Sequence, residues 1–508
     1  MNSNLFLNIL LVVIISLLFL FLFSAYVPFH MDGLGHYHAI MCHYYPLNAL
    51  NQFREACGQY DLAPVPGHYL PLRTFPYIGA FPSLVYYPLF RLWPSPYSAR
   101  LLGLIMLAIQ AFLICKLFRV EMALSFIILI FFMPYAFQHI VDFGTLIFQT
   151  TAVFFIYYLA QKWKKSFDDN GRHNFKYPFF IGVSLFLGIW TKLSFFALVP
   201  GIFVLIAYSF MCGRKILRKK LILGAIVLFF SVAVPALILF NSETRQHEKY
   251  YAVLQRDASY MALNPNNELI KYIFNPLLSA DRIFIIGKGW ITVEGFFWAA
   301  VIAGLLIFGI RQLYTRKEKY GFVIINVILF LLALFFVIVY PASWAMHHVI
   351  LSFPFLILAL FYIYSKLKEN KFIYIFIAAF LIVNCSLYYR LAGLKPYSVA
   401  HPSILKISNL LNERYAAKYV FIVVDWGMYY IKALYGKKDQ CVLYIGPFDK
   451  KEQVEAVKKI LGKLQRKALF IGRINGETDL SFIKDNFPGL AELKTDFNTG
   501  KWRVLYEP

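Results

Sequence analysis

Apolar residues run along this chain in blocks too long and too continuous for the one-sided stripe of a soluble helix. A bilayer core of ~30 Å takes ~20 apolar residues per helix. On that measure the chain is predicted to span at 5–24, 99–118, 122–138, 143–161, 177–191, 194–211, 221–240, 293–310, 321–340, 349–365 and 372–388. The loops between spans are asymmetric. Lys162, Lys164, Lys165, Arg172 and Lys176 fall in one, Arg214, Lys215, Arg218, Lys219 and Lys220 in the next on that side, then Arg311, Arg316, Lys317 and Lys319, and last Lys366, Lys368 and Lys371. The short opposite loops, 139–142 and 341–348, hold no Lys or Arg. Cytoplasmic loops carry the positive excess, so the N-terminus is placed inside and the C-terminus outside. The first run lacks a basic lead, and Phe23-Ser24-Ala25-Tyr26 is a poor small-x-small cleavage site, so it reads as a retained helix rather than a signal peptide. The long outer loops 28–98 and 241–292 differ in length and pattern, which argues against a transporter-type internal repeat.

After residue 388 the pattern changes to short β-branched runs separated by Lys-rich amphipathic segments. Tyr419-Val420-Phe421-Ile422-Val423-Val424, Val442-Leu443-Tyr444-Ile445 and Ala468-Leu469-Phe470-Ile471 read as strands, with a helix from about Lys451 to Gln465. Such alternation predicts a small α/β layer. The predicted architecture is therefore mainly α: a polytopic transmembrane bundle over 1–388, carrying the two long outer loops, and a soluble extracytoplasmic α/β domain over 389–508.

Composition agrees with the hydropathy pattern. Hydrophobic residues make up 60% and charged residues only 15%, with a mean hydropathy of +0.60, which excludes an ordinary soluble enzyme. The formal charge of +23 needs no nucleic-acid partner, because the positives sit largely in short loops where orientation in the bilayer accounts for them. Of that charge, residues 388–508 account for a net +8, suited to anionic headgroups or acidic glycans or simply to a solvated surface. Six cysteines rule out a disulfide scaffold, although Cys42 and Cys57 share an outer loop and could pair in an oxidising compartment.

Ionisable residues are scarce within the spans, where Asn326 and Asn384 are the polar exceptions, and collect at the outer face: Asp32, Asp142, Lys192, Glu294 and His347-His348. An ion-driven transporter buries such groups at mid-membrane, so this placement favours chemistry at the outer interface. The loop from Pro28 begins Pro28-Phe29-His30-Met31-Asp32-Gly33-Leu34-Gly35-His36-Tyr37-His38. It continues through Pro76-Tyr77-Ile78-Gly79-Ala80-Phe81 and Tyr86-Tyr87-Pro88-Leu89 to Ser98-Ala99-Arg100-Leu101.

An acid shortly after the first span, a Tyr-x-Gly…Tyr-Tyr-Pro-Leu stretch, Ala-Arg-Leu opening the second span, and Leu187-Gly188-Ile189-Trp190-Thr191-Lys192 closing the fifth together resemble the membrane-embedded GT-C glycosyltransferases, particularly the protein O-mannosyltransferase and lipid A aminoarabinose transferase group. The resemblance covers about residues 5–388. It departs from the group in carrying a single acid, Asp32, where many relatives have Asp-Glu, and His347-His348 where relatives commonly have Arg-Tyr. It implies an inverting transfer from a polyprenyl-phosphate sugar donor to a hydroxyl of a lipid, glycan or protein acceptor, with membrane lipids as surroundings. Asp32 is then the base that takes the acceptor proton, its bland alternative being an N-cap. Lys192 is the best-placed cation for the departing phosphate, with Arg73, Arg91 and Arg282 as looser candidates. Asp142, His36, His38, His347 and His348 are candidates for positioning the acceptor or a cation. The histidines with Asp32 could also form a divalent-metal site, but the relatives nearest in pattern do not generally require one, so no cofactor is expected. Tyr37, Tyr77, Tyr86 and Tyr87 are candidates for stacking on a sugar or prenyl group or for a simple interfacial belt. Rival readings are a flippase or transporter of lipid-linked saccharide, and a glycan polymerase or ligase using a diphosphate donor. The only Asn-x-Ser/Thr site, Asn384-Cys385-Ser386, lies inside a span, which favours a bacterial inner membrane.

Overall fold

A computed structural model describes residues 3–27, 36–37, 73–75, 78–141, 144–170, 175–211, 218–241, 275–277, 286, 292–339, 346–394, 403–424, 435, 440–445, 448–473, 480–493 and 502–508. The chain packs as two compact units, one of 1–27, 76–81 and 100–395, the other of 28–75, 82–99 and 396–508.

The first unit is helical. It begins with α1 (Ser3–Tyr26), the two-residue strand β2 (Ile78–Gly79) and, from Arg100 on, α3 (Pro96–Phe118), whereas β1 (Arg73–Phe75) and all of α2 (Phe81–Leu92) after Phe81 belong to the second unit. Next come α4 (Met122–Phe131), α5 (Met133–Ile140), α6 (Thr145–Asn170) and α7 (Lys176–Thr191), a 3-10 turn at Leu193–Ala197, α8 (Val199–Met211) and α9 (Arg218–Asn241). The unit closes with α10 (Val293–Thr315), α11 (Gly321–Val339), α12 (Met346–Val349), a 3-10 turn at Ile350–Ser352, α13 (Phe353–Leu367) and α14 (Lys371–Ala392).

Each of the eleven predicted spans is mainly helical over its described residues, with a break at Phe132, a bend at Gly144, a 3-10 segment and turn up to Leu198, and a 3-10 turn at Ile350–Ser352. Among the described residues six helices are long and apolar enough to cross a membrane by themselves, and α4 with α5 makes a seventh if that pair, bent by 88°, is one span. Lys176–Thr191, Val199–Phe210 and Gly224–Val234 are shorter apolar helices. Their outward side chains are apolar, as Phe21, Phe229, Phe296, Leu331 and Ile382 illustrate, all exposed. In water such a surface would be a liability; in hydrocarbon it is the expected exterior. This is an integral membrane protein.

The break at Phe132 has an identifiable cause. Pro134, in the first turn of α5, lacks an N–H and disfavours the helical conformation in the residue before it, and Phe132 adopts φ −72°, ψ 83°. Breaking a helix inside a membrane strands main-chain groups, and α14 supplies partners for both sides of the gap. Asn384 Oδ1 accepts the Met133 N–H at 2.9 Å, and the Tyr388 hydroxyl, one turn further along, donates to the Ile130 carbonyl at 3.0 Å. Asn384, one of the two polar exceptions in the spans, therefore works as a cap supplied by another helix.

A second polar cluster is buried between α3, α5 and α6. Tyr135 donates to Gln110 Oε1 at 2.8 Å, Gln110 Nε2 donates to Thr151 at 2.8 Å, and the His139 ring bridges the Thr150 hydroxyl and the Tyr135 carbonyl, each at 2.7 Å. These groups satisfy one another. α3 comes close enough for this because Gly103 faces the His139 carbonyl, where an added Cβ would sit 2.3 Å away.

In the second unit α15 (Ser403–Arg414), α16 (Lys451–Leu464) and α17 (Leu480–Asn486) accompany a five-stranded sheet. Its strands are β3 (Tyr419–Val423), β4 (Cys441–Tyr444), β5 (Lys467–Arg473), β6 (Ala491–Glu492) and β7 (Trp502–Tyr506), in the order β4-β3-β5-β7-β6. The three predicted strands form its parallel half, with Val420 opposite both Cys441 and Ala468. Strands β7 and β6 add an antiparallel edge. Val420, Ile422, Leu443 and Phe470 fill the core against Val454 and Val457 of α16.

Candidate active site

Two sequence motifs meet where α7 ends. Thr191 closes the helix, and Lys192 is extended (φ −163°, ψ 139°) before the 3-10 turn begins. There β2 lies alongside: Ile78 forms an antiparallel bridge with Lys192. Gly79 is pressed against Trp190, so that an added Cβ would fall 1.6 Å from the Trp190 carbonyl oxygen and 2.4 Å from its ring. The turn is held from beneath by Gln149, buried in the first turns of α6, whose Nε2 donates to the Lys192 carbonyl at 2.9 Å and to the Ser194 hydroxyl at 3.3 Å. The Phe195 N–H donates to the same Lys192 carbonyl at 3.0 Å. Phe81 packs its ring on both Trp190 and Phe148. The Tyr-x-Gly and Trp-Thr-Lys motifs are thus two sides of one junction, and Lys192 is 91% removed from solvent there.

Arg100, of the Ala-Arg-Leu motif, has a positional task. It is wholly buried, and its two terminal nitrogens donate to the Phe23 carbonyl at 2.6 Å and the Val27 carbonyl at 2.7 Å. A guanidinium fork therefore caps the end of α1 at Phe23 and Val27, the latter five residues before Asp32 in the sequence. Arg100→Lys is expected to lower the thermal unfolding midpoint of the detergent-purified protein, at a cost of about 2 kcal/mol. A single ammonium cannot reproduce the fork, and hydrogen bonds from charged donors are worth about 1.5–3 kcal/mol each. An unchanged midpoint would mean that α1 ends where it does for other reasons.

Asp32, His38, Asp142 and Arg282 lie outside the described residues, as do the side chains of Arg73, in β1, and His347, in α12. His348, beside it, is 94% buried within the first unit. Arg91 is exposed in the last turn of α2, within the second unit. His36 in that unit accepts, through its carbonyl, a hydrogen bond from Ser83 at 3.1 Å. Among the described residues no group of three or more His, Cys, Asp or Glu side chains is placed to hold a metal ion.

The outer-loop tyrosines Tyr37 and Tyr86 are both fully buried, and their rings face each other at 4.4 Å. The Tyr86 hydroxyl meets Ser98 Oγ at 2.6 Å and the Tyr435 hydroxyl at 2.8 Å. Burial pushes the Tyr86 hydroxyl up to about 12, against the pull of its Ser98 and Tyr435 hydrogen bonds, and raises Tyr37 well above the ordinary tyrosine range. Both rings are spent on the core of the second unit; of the other two stacking candidates, Tyr77 lies outside the described residues and Tyr87 is half-buried.

Gln149 was not among the sequence candidates, nor were Gln110, Tyr135 and His139. The signal was present, since Gln110, Gln138-His139 and Gln149-Thr150-Thr151 each interrupt an otherwise apolar run, and polar groups in a span are costly enough to mark internal contacts.

The backbone has a solved counterpart. ArnT from Cupriavidus metallidurans, crystallised with undecaprenyl phosphate, superposes with a TM-score of 0.57 at 11% identity, covering 98% of this chain and 98% of that one. The chain has the GT-C fold. At this identity the likeness speaks for the GT-C architecture alone. Two structures of the Archaeoglobus fulgidus oligosaccharyltransferase match less fully. The AglB structure with an inhibitory peptide and a dolichol-phosphate gives a TM-score of 0.46 at 16% identity over 95% of this chain and 70% of the other. The one tethered to an acceptor peptide containing the NVT sequon gives 0.47 at 15% over 92% and 69%. The sequence matches no protein-family model and no curated protein.

Proposed function

We propose that this protein is an inverting glycosyltransferase that moves a sugar from a polyprenyl-phosphate donor to an acceptor hydroxyl at the outer membrane face. The observation that carries the reading is the junction of Ile78-Gly79 with Trp190-Thr191-Lys192, which buries a lysine at the end of a membrane helix within a GT-C fold. In the reaction the acceptor oxygen attacks the anomeric carbon from the face opposite the phosphate. The bond from that carbon to the phosphate oxygen breaks, the electron pair leaves with the phosphate, and the acceptor proton passes to a carboxylate, assigned to Asp32. Phosphate leaves as an anion, so no general acid is needed; a cation beside it lowers the barrier, and Lys192 is assigned that part. Asp142 and the outer histidines are assigned to holding the acceptor. The site faces outward from a bacterial inner membrane, with the C-terminal domain on the same side.

The internal pairing of Gln110, Tyr135, His139, Thr150 and Thr151 supports an enzyme over a carrier of lipid-linked saccharide, because a carrier needs polar groups that face a path rather than one another. The direct test is release of polyprenyl phosphate from a polyprenyl-phosphate sugar by the purified protein, with envelope extract as acceptor source. Lys192→Met, which keeps the apolar stem, should weaken donor binding by about tenfold or more, since a charge-assisted contact to phosphate is worth ~1.5–3 kcal/mol. Unchanged affinity in a direct titration would return Lys192 to the part of an interfacial anchor.

A further inference from the structure

The end of the bundle remote from Lys192 contains a cleft that the transfer reaction does not use. It has a volume of about 520 Å3 and lies between the C-terminal ends of α3, α6 and α13, within the ~300–1,000 Å3 usual for ligand clefts. Six cationic side chains line it, Lys116, Arg119, Lys162, Lys164, Lys165 and Lys366, with no acidic residue among the described lining residues. Lys165 stands 16 residues beyond Gln149 on α6, or about 24 Å along the helix axis at ~1.5 Å per residue, most of a bilayer core away from the junction at Lys192.

Lysines at a cytoplasmic helix end are ordinary when they point to water. Here they surround a recess lined also by the polar groups of Gln161, Ser365 and Tyr362. Those groups are held in place: Gln161 Nε2 donates to the Ser209 hydroxyl at 2.8 Å, and the Tyr362 hydroxyl donates to the Lys319 carbonyl at 2.9 Å. At the rim Glu318 lies 2.9 Å from Lys366. Arg119 adds a separate observation. It has φ 56°, the left-handed conformation, with its N–H donating to the Cys115 carbonyl at 2.9 Å to close α3. Glycine occupies that closing position without strain, whereas a side chain there costs roughly 1 kcal/mol. A strained residue is a pointer to function when its side chain serves a site, and this one contributes a cation to the cleft.

We propose that the cleft binds a phosphate-bearing anion, presented either as the headgroup of a lipid in the adjoining leaflet or as the free ion. It stands independently of the transfer chemistry at Lys192. The test uses the full-length protein in detergent, in wild-type form and in a Lys192→Met background that silences the outer site. Thermal unfolding is followed against dihexanoyl phosphatidic acid, inorganic phosphate and, as the zwitterionic control, dihexanoyl phosphatidylcholine. The expected result is a saturable rise in midpoint with phosphatidic acid or phosphate, retained in Lys192→Met. Half-saturation should move at least fivefold higher in Lys162→Gln/Lys164→Gln and in Arg119→Gly. The glycine variant also removes the backbone strain, so its ligand-free midpoint should hold or rise, which separates lost binding from lost folding. A lower half-saturating concentration for phosphatidic acid than for phosphate assigns the headgroup as the source, and equal concentrations assign the free ion. The proposal is overturned if neither anion gives a saturable rise, if phosphatidylcholine acts equally, or if Lys458→Gln/Lys459→Gln on α16 weakens the response as much as the cleft variants do.

Discussion

Gly79→Ala is expected to weaken donor binding and slow transfer on the order of 100-fold while leaving the purified protein monodisperse. The added Cβ would fall 1.6 Å from the Trp190 carbonyl oxygen and 2.7 Å from its carbonyl carbon. Both are main-chain atoms, so no side-chain rotation relieves the contact. The two-residue strand must then leave α7, and with it goes the bridge between Ile78 and Lys192. Overpacking of this kind costs about 3 kcal/mol or more when the backbone itself is the obstacle, equivalent to a loss on the order of 100-fold in any property that needs the junction closed. Gly462→Ala is the matched control, because nothing lies within 4 Å of a Cβ added there and the residue sits inside α16; it should be neutral or mildly stabilising. Wild-type donor affinity in Gly79→Ala, measured by titration, would mean that the junction plays no part in holding the donor.

Asp32→Asn is expected to reduce transfer by roughly 10²–10⁴-fold, the range a general base contributes, with donor affinity close to wild type. Asparagine keeps the size and hydrogen-bonding reach of the side chain and removes only its capacity to accept a proton. The measurement is the initial rate on purified protein beside a donor titration on the same sample. A rate above about a tenth of wild type falls outside the range for a lost general base and would exclude Asp32 from that role. A parallel loss of binding would make it a donor contact instead.

How much of this was legible in the chain depends on how local the determining interaction is. Strands β3, β4 and β5 and helix α16 were readable because each is specified within its own residues, by β-branched runs such as Val420 to Val424 or by amphipathic spacing. Strand β7 was not: Trp502-Arg503-Val504-Leu505-Tyr506 is short, and only pairing with β5 and β6 makes it a strand. The break at Phe132 announced itself in Pro134, yet the apolar run continues through it, so hydropathy alone gave one straight span over 122–138. At the site, Lys192 stood out as an isolated charge between apolar runs. Its support by Gln149 and its pairing with Ile78 follow no sequence rule, since both connect residues brought together only by packing. Tyr37 and Tyr86 show the reverse difficulty, because an aromatic in an outer loop has the same sequence signature whether it faces a ligand or, as here, the ring of another tyrosine.

The cap on the break between α4 and α5 also constrains the order in which the molecule can be assembled. Asn384 and Tyr388 lie 251 and 258 residues beyond the main-chain groups they satisfy. As the chain is made, α4 and α5 enter the bilayer with those groups unpaired, and only when the last membrane helix arrives can the bend be sealed. Until then the Met133 N–H and the Ile130 carbonyl must be satisfied by water, lipid headgroups or a transient partner. The membrane unit is therefore closed by its final helix, and a chain cut short before Asn384 would carry an open seam at the turn leading toward Asp142.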